Sequence, residues 1–288
     1  MIPNPPFRNR ARFTSAAVVI GAAAAALILA ATTGFARIDR EIGSPPPDRP
    51  EMATTIPPTS TLPPPTSAPS TTTPTTLPPP PLPRGPSSPI VPVNGLAPVI
   101  NRIETTDPVI FLTIDDGMVR DPRVPAFLIE NNIPATLFLN EGPVRSDPAY
   151  FARVASAGGS INSHTRSHPD LRKVSADTQR REICGMFGVI TEMGLARGHL
   201  FRSPYGVQNA TTQRVAADCG AMAILRWSVA LNDGMVQFQQ GQKFQPGDII
   251  LSHFRDDLYD NLVELVRKAK EDGVVIAPLE AYILPPSR

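Results

Sequence analysis

The chain has 288 residues and a formal net charge of +1, with no long basic tract, so nothing in it calls for a nucleic-acid partner. Its 35 prolines stand far above an average composition of ~5%, and more than half of them fall between Ser44 and Pro98. Two cysteines, Cys184 and Cys219, exclude a disulfide framework and form no CxxC motif. Outside the cytoplasm they could pair; the alternative is two buried thiols.

Residues 1–12 form a short tail carrying Arg8, Arg10 and Arg12, and residues 13–36 hold no charge. That uncharged stretch exceeds the ~20 residues a helix needs to cross a hydrocarbon core. The arginines should stay in the cytoplasm and send the C-terminus outward. The segment reads as a single-pass membrane anchor, or as a signal segment cut after Ala36, which would leave a secreted protein. Residues 37–98 follow as a Pro/Thr/Ser-rich stalk that cannot bury a core. At ~3.1 Å per residue its proline-rich part would reach on the order of 170 Å. A spacer of that length suits a protein that works on a cell wall away from the membrane.

From residue 99 to 288 apolar runs alternate with helical patterns. Strands are expected at 109–114, 135–139, 200–201, 221–225, 248–251 and 274–277, and helices at 124–131, 149–157, 176–193 and 257–270. In the last helix Leu258, Leu262, Leu265, Val266 and Ala269 recur at helical spacing. Such alternation makes βαβ units and a parallel sheet. About seven units in this length are too few for a regular eight-fold barrel. The expected fold is therefore α/β, a contracted or distorted (β/α) barrel of about seven parallel strands.

The polar residues gather just beyond the apolar runs. In "LTIDDGM" a buried strand ends in Asp115, Asp116 and Gly117. His164 and His168 stand i, i+4 in "NSHTRSHPD", close enough for one helical turn or a tight loop to bring them together. His253 follows the run in "ILSHF", whereas His199 belongs to no pattern. Two histidines and one carboxylate leave an open coordination position, as in catalytic zinc sites. The same set also matches the facial triad of iron oxygenases. A second aspartate is superfluous for oxygen activation, but a hydrolase needs one carboxylate on the metal and one to take a proton from water. Gly117 permits a turn that aims both into one site. In "FRSPYG" Arg202 can hold an aspartate ionised, and the Pro204-Tyr205-Gly206 turn can point a backbone N–H at an oxyanion.

In this order the segments resemble the NodB-like polysaccharide deacetylases, carbohydrate esterase family 4. The motifs are Thr113-Ile114-Asp115-Asp116-Gly117, His164-Thr165-Arg166-Ser167-His168, Arg202-Ser203-Pro204-Tyr205-Gly206 and Leu251-Ser252-His253. The resemblance covers roughly residues 109–281 and implies the NodB-homology barrel. It implies Asp115 as general base, with Asp116, His164 and His168 binding one divalent ion, zinc or else cobalt. It further implies that Arg202 orients Asp115, that the Tyr205 N–H stabilises the oxyanion, and that His253 protonates the leaving amine. Leu251, with Pro204 and Tyr205, would line the substrate pocket. The fourth motif departs from the family's DxxDW. In "WSVALNDG" Ala230 replaces the first aspartate and Gly234 the tryptophan, while Asp233 is kept. That change puts the tuning of His253 in question.

Taken together, these features predict a metal-dependent hydrolase removing N-acetyl groups from a cell-surface glycan, with acetylated peptidoglycan as the partner polymer. The alternatives are a degenerate domain that binds wall glycan without turnover, and a polysaccharide O-acetyl esterase.

Overall fold

The computed structural model describes residues 90–283. The segments 1–12 and 13–36 and nearly all of the stalk lie outside the described residues. Among the described residues no helix is long and apolar enough to cross a membrane.

The strands are β1 (Val99–Ile100), β2 (Val109–Asp116), β3 (Ala135–Leu139), β4 (Ser160–Ser163), β5 (Arg197–Phe201), β6 (Ala223–Leu225), β7 (Val229–Asn232), β8 (Met235–Phe238), β9 (Ile249–His253) and β10 (Val275–Ile276). The helices are α1 (Arg123–Glu130), α2 (Glu141–Ser146), α3 (Pro148–Ala155), α4 (Ala176–Glu192), α5 (Ala210–Asp218) and α6 (Leu258–Asp272). The strands join in one sheet of order β1-β6-β5-β4-β3-β2-β9-β7-β8, with β10 paired to β2. Every pairing is parallel except the β7–β8 hairpin. The sheet curls into a half-barrel with helices outside, as the alternating pattern predicts.

Burial on both faces explains the unbroken apolar runs. Ile110, Leu112 and Ile114 of β2 pack against the helix layer with Leu128, Phe151 and Leu262. Val109 and Phe111 face the interior with Phe138, Leu200, Ile249 and Tyr282. Helix α6 buries Leu258, Leu262, Leu265 and Ala269 and stops at Gly273, whose φ of 72° lies in the left-handed region. The sheet departs from seven parallel strands by gaining the short β1 and the antiparallel hairpin at its edges. Helices α2 and α5 also exceed the expected set. A disulfide joins Cys184 of α4 to Cys219 at the end of α5, with Cα atoms 5.0 Å apart. The open question about the two cysteines resolves as a pair.

Candidate active site

Strand alternation points Thr113 and Asp115 inward beside Phe111, and would send Asp116 out to the helices. The backbone prevents this. Asp116 has φ 76°, a left-handed conformation that aspartate tolerates better than most residues. Its Oδ1 thereby comes to 3.5 Å from His164 Nε2 and 3.7 Å from His168 Nε2. Gly117 continues the turn with φ 97°, and a Cβ there would lie 2.9 Å from both Phe151 Cζ and Pro143 Cβ. No larger residue fits.

Left-handed backbone recurs at Thr165 (φ 71°), His168 (φ 61°) and Tyr205 (φ 60°). Non-glycine residues in that region cost about 1–3 kcal/mol each and persist where their surroundings over-determine them. Here Asn140 supplies much of that restraint. Its Nδ2 donates to the carbonyls of His164 and Thr165 at 2.8 and 3.0 Å. The His168 N–H donates to Thr165 Oγ1 at 3.0 Å. The two histidines therefore meet through a tight loop, and helical spacing plays no part.

Asp116, His164 and His168 each offer a ligand atom, all within 4.8 Å of one another. Two donors bound tetrahedrally at ~2.0–2.1 Å lie about 3.4 Å apart, close to the separations above. His164 Nδ1 lies 2.8 Å from the Arg202 carbonyl, which places the proton on Nδ1 and leaves the Nε2 lone pair toward the donors. Burial holds the His164 imidazole below its usual range, opposed chiefly by Asp115. A neutral imidazole is the form that binds a metal. The donor set fits zinc or a similar divalent ion.

Arg202 is completely buried (0% exposed). Its Nη1 donates to Asp115 Oδ1 at 2.8 Å and to Thr113 Oγ1 at 2.6 Å. Its Nε and Nη2 donate to the carbonyls of Leu225 and Arg226 at 3.1 and 3.0 Å. Desolvation lowers the guanidinium pKa, and Asp115 opposes that shift. With Oδ1 engaged, Asp115 turns Oδ2 toward His164 Nε2, 3.7 Å away. The two aspartates are thus held differently: Asp115 is buried and bound to Arg202, while Asp116 is partly exposed among the donors.

His253 ends β9 as the register partner of Asp115 on β2, and Leu251 partners Thr113. Both side chains therefore face inward, and Leu251 is buried. Pro204 is buried, whereas Tyr205 is 65% exposed with its ring edge-on to His168 at 4.7 Å. His199 is exposed on β5, away from this cluster. Burial lowers the His253 pKa, and its buried Nδ1 has no hydrogen-bond partner among the described residues. Ala230 lies level with Leu251 across the β7–β9 pairing, and its methyl group offers the ring no carboxylate from that position. The retained Asp233 does not substitute. It is exposed in the β7–β8 turn, with its backbone N–H donating to Asp257 Oδ2 at 2.8 Å.

Sequence reasoning missed Asn140 and Thr113. Thr113 stood inside a recognised motif, so its position was available. Asn140 gave no signal beyond its place after β3.

Comparisons with known proteins bear on the family and the fold. The polysaccharide deacetylase family matches residues 102–224, which include every residue of the cluster except those on β7 and β9. An uncharacterized protein of Streptomyces coelicolor is 37% identical over 197 residues, covering 65% of this chain and 78% of that protein. The peptidoglycan-N-acetylmuramic acid deacetylase PdaA of Bacillus subtilis is 27% identical over 189 residues, covering 61% and 72%. A family 4 carbohydrate esterase from Bacillus anthracis shares the fold, with a TM-score of 0.55 and 23% identity over 64% of this chain and 86% of that one. The segments that carry the two aspartates, the paired histidines and the RSPYG turn all fall within the matched residues, and the chain belongs to the NodB-like polysaccharide deacetylase family, carbohydrate esterase family 4.

Proposed function

We propose that this protein is a metal-dependent deacetylase that hydrolyses N-acetyl groups on a cell-surface glycan, with peptidoglycan as its polymer. One observation carries the reading: a carboxylate held by a buried arginine, three metal donors and an inward histidine converge at one end of the sheet. Asp116, His164 and His168 would hold one divalent ion, zinc or cobalt. When bound, the ion polarises the amide carbonyl and acidifies a water. Asp115 Oδ2 takes a proton from the attacking water while Arg202 fixes Oδ1. The Tyr205 backbone N–H donates to the oxyanion, and Leu251 and Pro204 receive the acetyl methyl group. His253 gives a proton to the departing nitrogen as the C–N bond breaks, yielding acetate and an amine.

Peptidoglycan is favoured by the relative named for it and by the sequence order of uncharged segment, stalk and domain. In that arrangement residues 1–12 remain in the cytoplasm and the domain lies outside, anchored or released after Ala36. The Cys184–Cys219 bond supports an oxidising compartment.

The test is acetate release by the full chain from peptidoglycan, chitin oligomers and acetylated xylan, with zinc or cobalt added. Release from peptidoglycan is expected; release only from xylan would point to the O-acetyl esterase. A second reading rests on Ala230 and on a His253 Nδ1 that has no hydrogen-bond partner among the described residues: a domain that binds wall glycan without turnover. Glycan and metal binding with no acetate from any substrate would establish it. Protease added to intact cells should cut within the stalk, and complete protection with an open wall would contradict the orientation.

A further inference from the structure

Arg202 is bonded on its edges, but a guanidinium also has two faces. Phe138 covers one, with its ring centroid 4.4 Å from Cζ. Trp227 is 5.8 Å from the same atom. Trp227 is the single tryptophan of the chain, half-buried against the inner cluster, and it lies beyond the residues matched by the family. Its ring rests on the RSPYG turn: a Cβ at Gly206 would fall 2.7 Å from Trp227 Cη2 and 2.9 Å from Cζ3. The backbone leading into it, Leu225 and Arg226, supplies two acceptors to Arg202. Gln239 Nε2 donates to the Trp227 carbonyl at 3.0 Å and ties the residue to the segment after β8.

We infer that Trp227 is a positioning residue that seals Arg202 from water and locks the Pro204-Tyr205-Gly206 turn against it. The indole lies over the arginine that holds Asp115, with its ring centroid 5.8 Å from Cζ, and packs against the glycine beside Tyr205. It therefore couples the carboxylate and the turn, which come from different strands. Water reaching Arg202 would compete for its donors and raise the local dielectric, weakening the hold on Asp115. Gly206 is required at φ 67° and also because the indole occupies the space a side chain would need. This role is distinct from stacking on a sugar, which would act through substrate affinity.

The kinetic arm of the test rests on the deacetylase reading, and the exchange arm stands apart from it. In ¹⁵N-labelled full chain, Arg202→Lys identifies the buried guanidinium signals. Trp227→Ala and Trp227→Leu should speed hydrogen exchange of those N–H groups at least tenfold, Gly206→Ala should do the same by displacing the ring, and Trp227→Phe should stay within threefold of the parent. Thermal midpoints taken on the same samples confirm folding. With peptidoglycan, Trp227→Ala should lower kcat at least tenfold while KM and bound zinc change less than twofold, and Trp227→Phe should recover most of kcat. Unchanged exchange in both truncated variants overturns the inference, even if the parent releases no acetate. A rise in KM at constant kcat also overturns it, in favour of a sugar-stacking platform.

Discussion

Arg202 Nη1 and Asp115 Oδ1 lie 2.8 Å apart with both side chains buried, and under the proposed reaction this pair assigns the work on water to Asp115. One oxygen of Asp115 is committed to the arginine, and the other faces the metal donors. Asp115→Asn should therefore keep the metal and lose hydrolysis, because an amide cannot accept the proton; removing a positioned base costs ~10²–10⁴-fold. Asp116→Ala should lose both, since an anionic ligand disappears. Metal content and acetate release on the same preparations check this. Near-parental turnover in Asp115→Asn would make the base assignment wrong.

His168→Ala should sharply reduce metal affinity while leaving the fold intact, because the side chain is partly exposed and touches chiefly Tyr205 and His164. Equilibrium dialysis against zinc is the measurement. Parental stoichiometry at low micromolar zinc would remove His168 from the ligand set.

The metal-free protein should lose stability as pH falls below about 6.5, the ordinary histidine pKa. Burial depresses both His164 and His253 in the folded chain, so the unfolded chain takes up protons there first. Their contribution is complete above that pH and is lost as pH drops through the folded values. Glu141, held down to about 2 by Arg166 and Arg145, acts in a lower window. Thermal midpoints in chelator at pH 7.5, 6.5 and 5.5 should fall in that order, and less steeply in His253→Gln. A flat series would contradict the burial argument.

The disulfide spans 35 residues, a segment that contains β5 and the RSPYG turn. A closed loop of that size is worth about 4 kcal/mol by chain entropy, and removal of native bridges costs ~2–5 kcal/mol. Cys184→Ala with Cys219→Ala should lose an amount in that range in urea unfolding. Equal urea midpoints with and without reductant would show that α4 and α5 hold together without it.

Ala230 is the departure whose reversal is most informative. An aspartate there would stand on the inward face two residues short of the level of His253. A carboxylate beside the unpartnered Nδ1 raises the imidazole pKa, so the basic limb of the pH–rate profile of Ala230→Asp should move upward. An unmoved limb means the carboxylate does not reach the ring.

Both-faced burial made β2, β3 and β9 legible, because their apolar runs needed no alternation to be recognised. β4 was not legible. Its Ser160–Ser163 holds a single apolar residue, Ile161, yet Asn162 Oδ1 accepts from the Leu200 N–H at 2.8 Å and Ser163 Oγ donates to the Ile183 carbonyl at 3.3 Å. Polar side chains satisfied by neighbours can occupy a buried strand, and periodicity does not record such partners. Helix α5 hid for a similar reason. Its start is set by a reciprocal cap between Asn209 and Thr212, while its apolar face is short. The motifs revealed which side chains share the site, but the left-handed turns at Asp116 and Thr165 that bring them together come from packing around Asn140 and Phe151. Asp233, the part of the fourth motif that the chain keeps, is carried out to solvent by the hairpin.

Asp115 and His253 are register partners on neighbouring parallel strands. Such strands lie ~4.8 Å apart, so the backbone ladder itself gauges the gap between these two residues. A single-residue deletion upstream in β9 would shift that ladder by one and swing His253 into the helix layer. A change of the same size beyond the strand ends leaves the gauge intact. Loops and the β7–β8 hairpin can therefore change in length without moving His253 relative to Asp115, while the interior of these two strands accommodates no insertion or deletion.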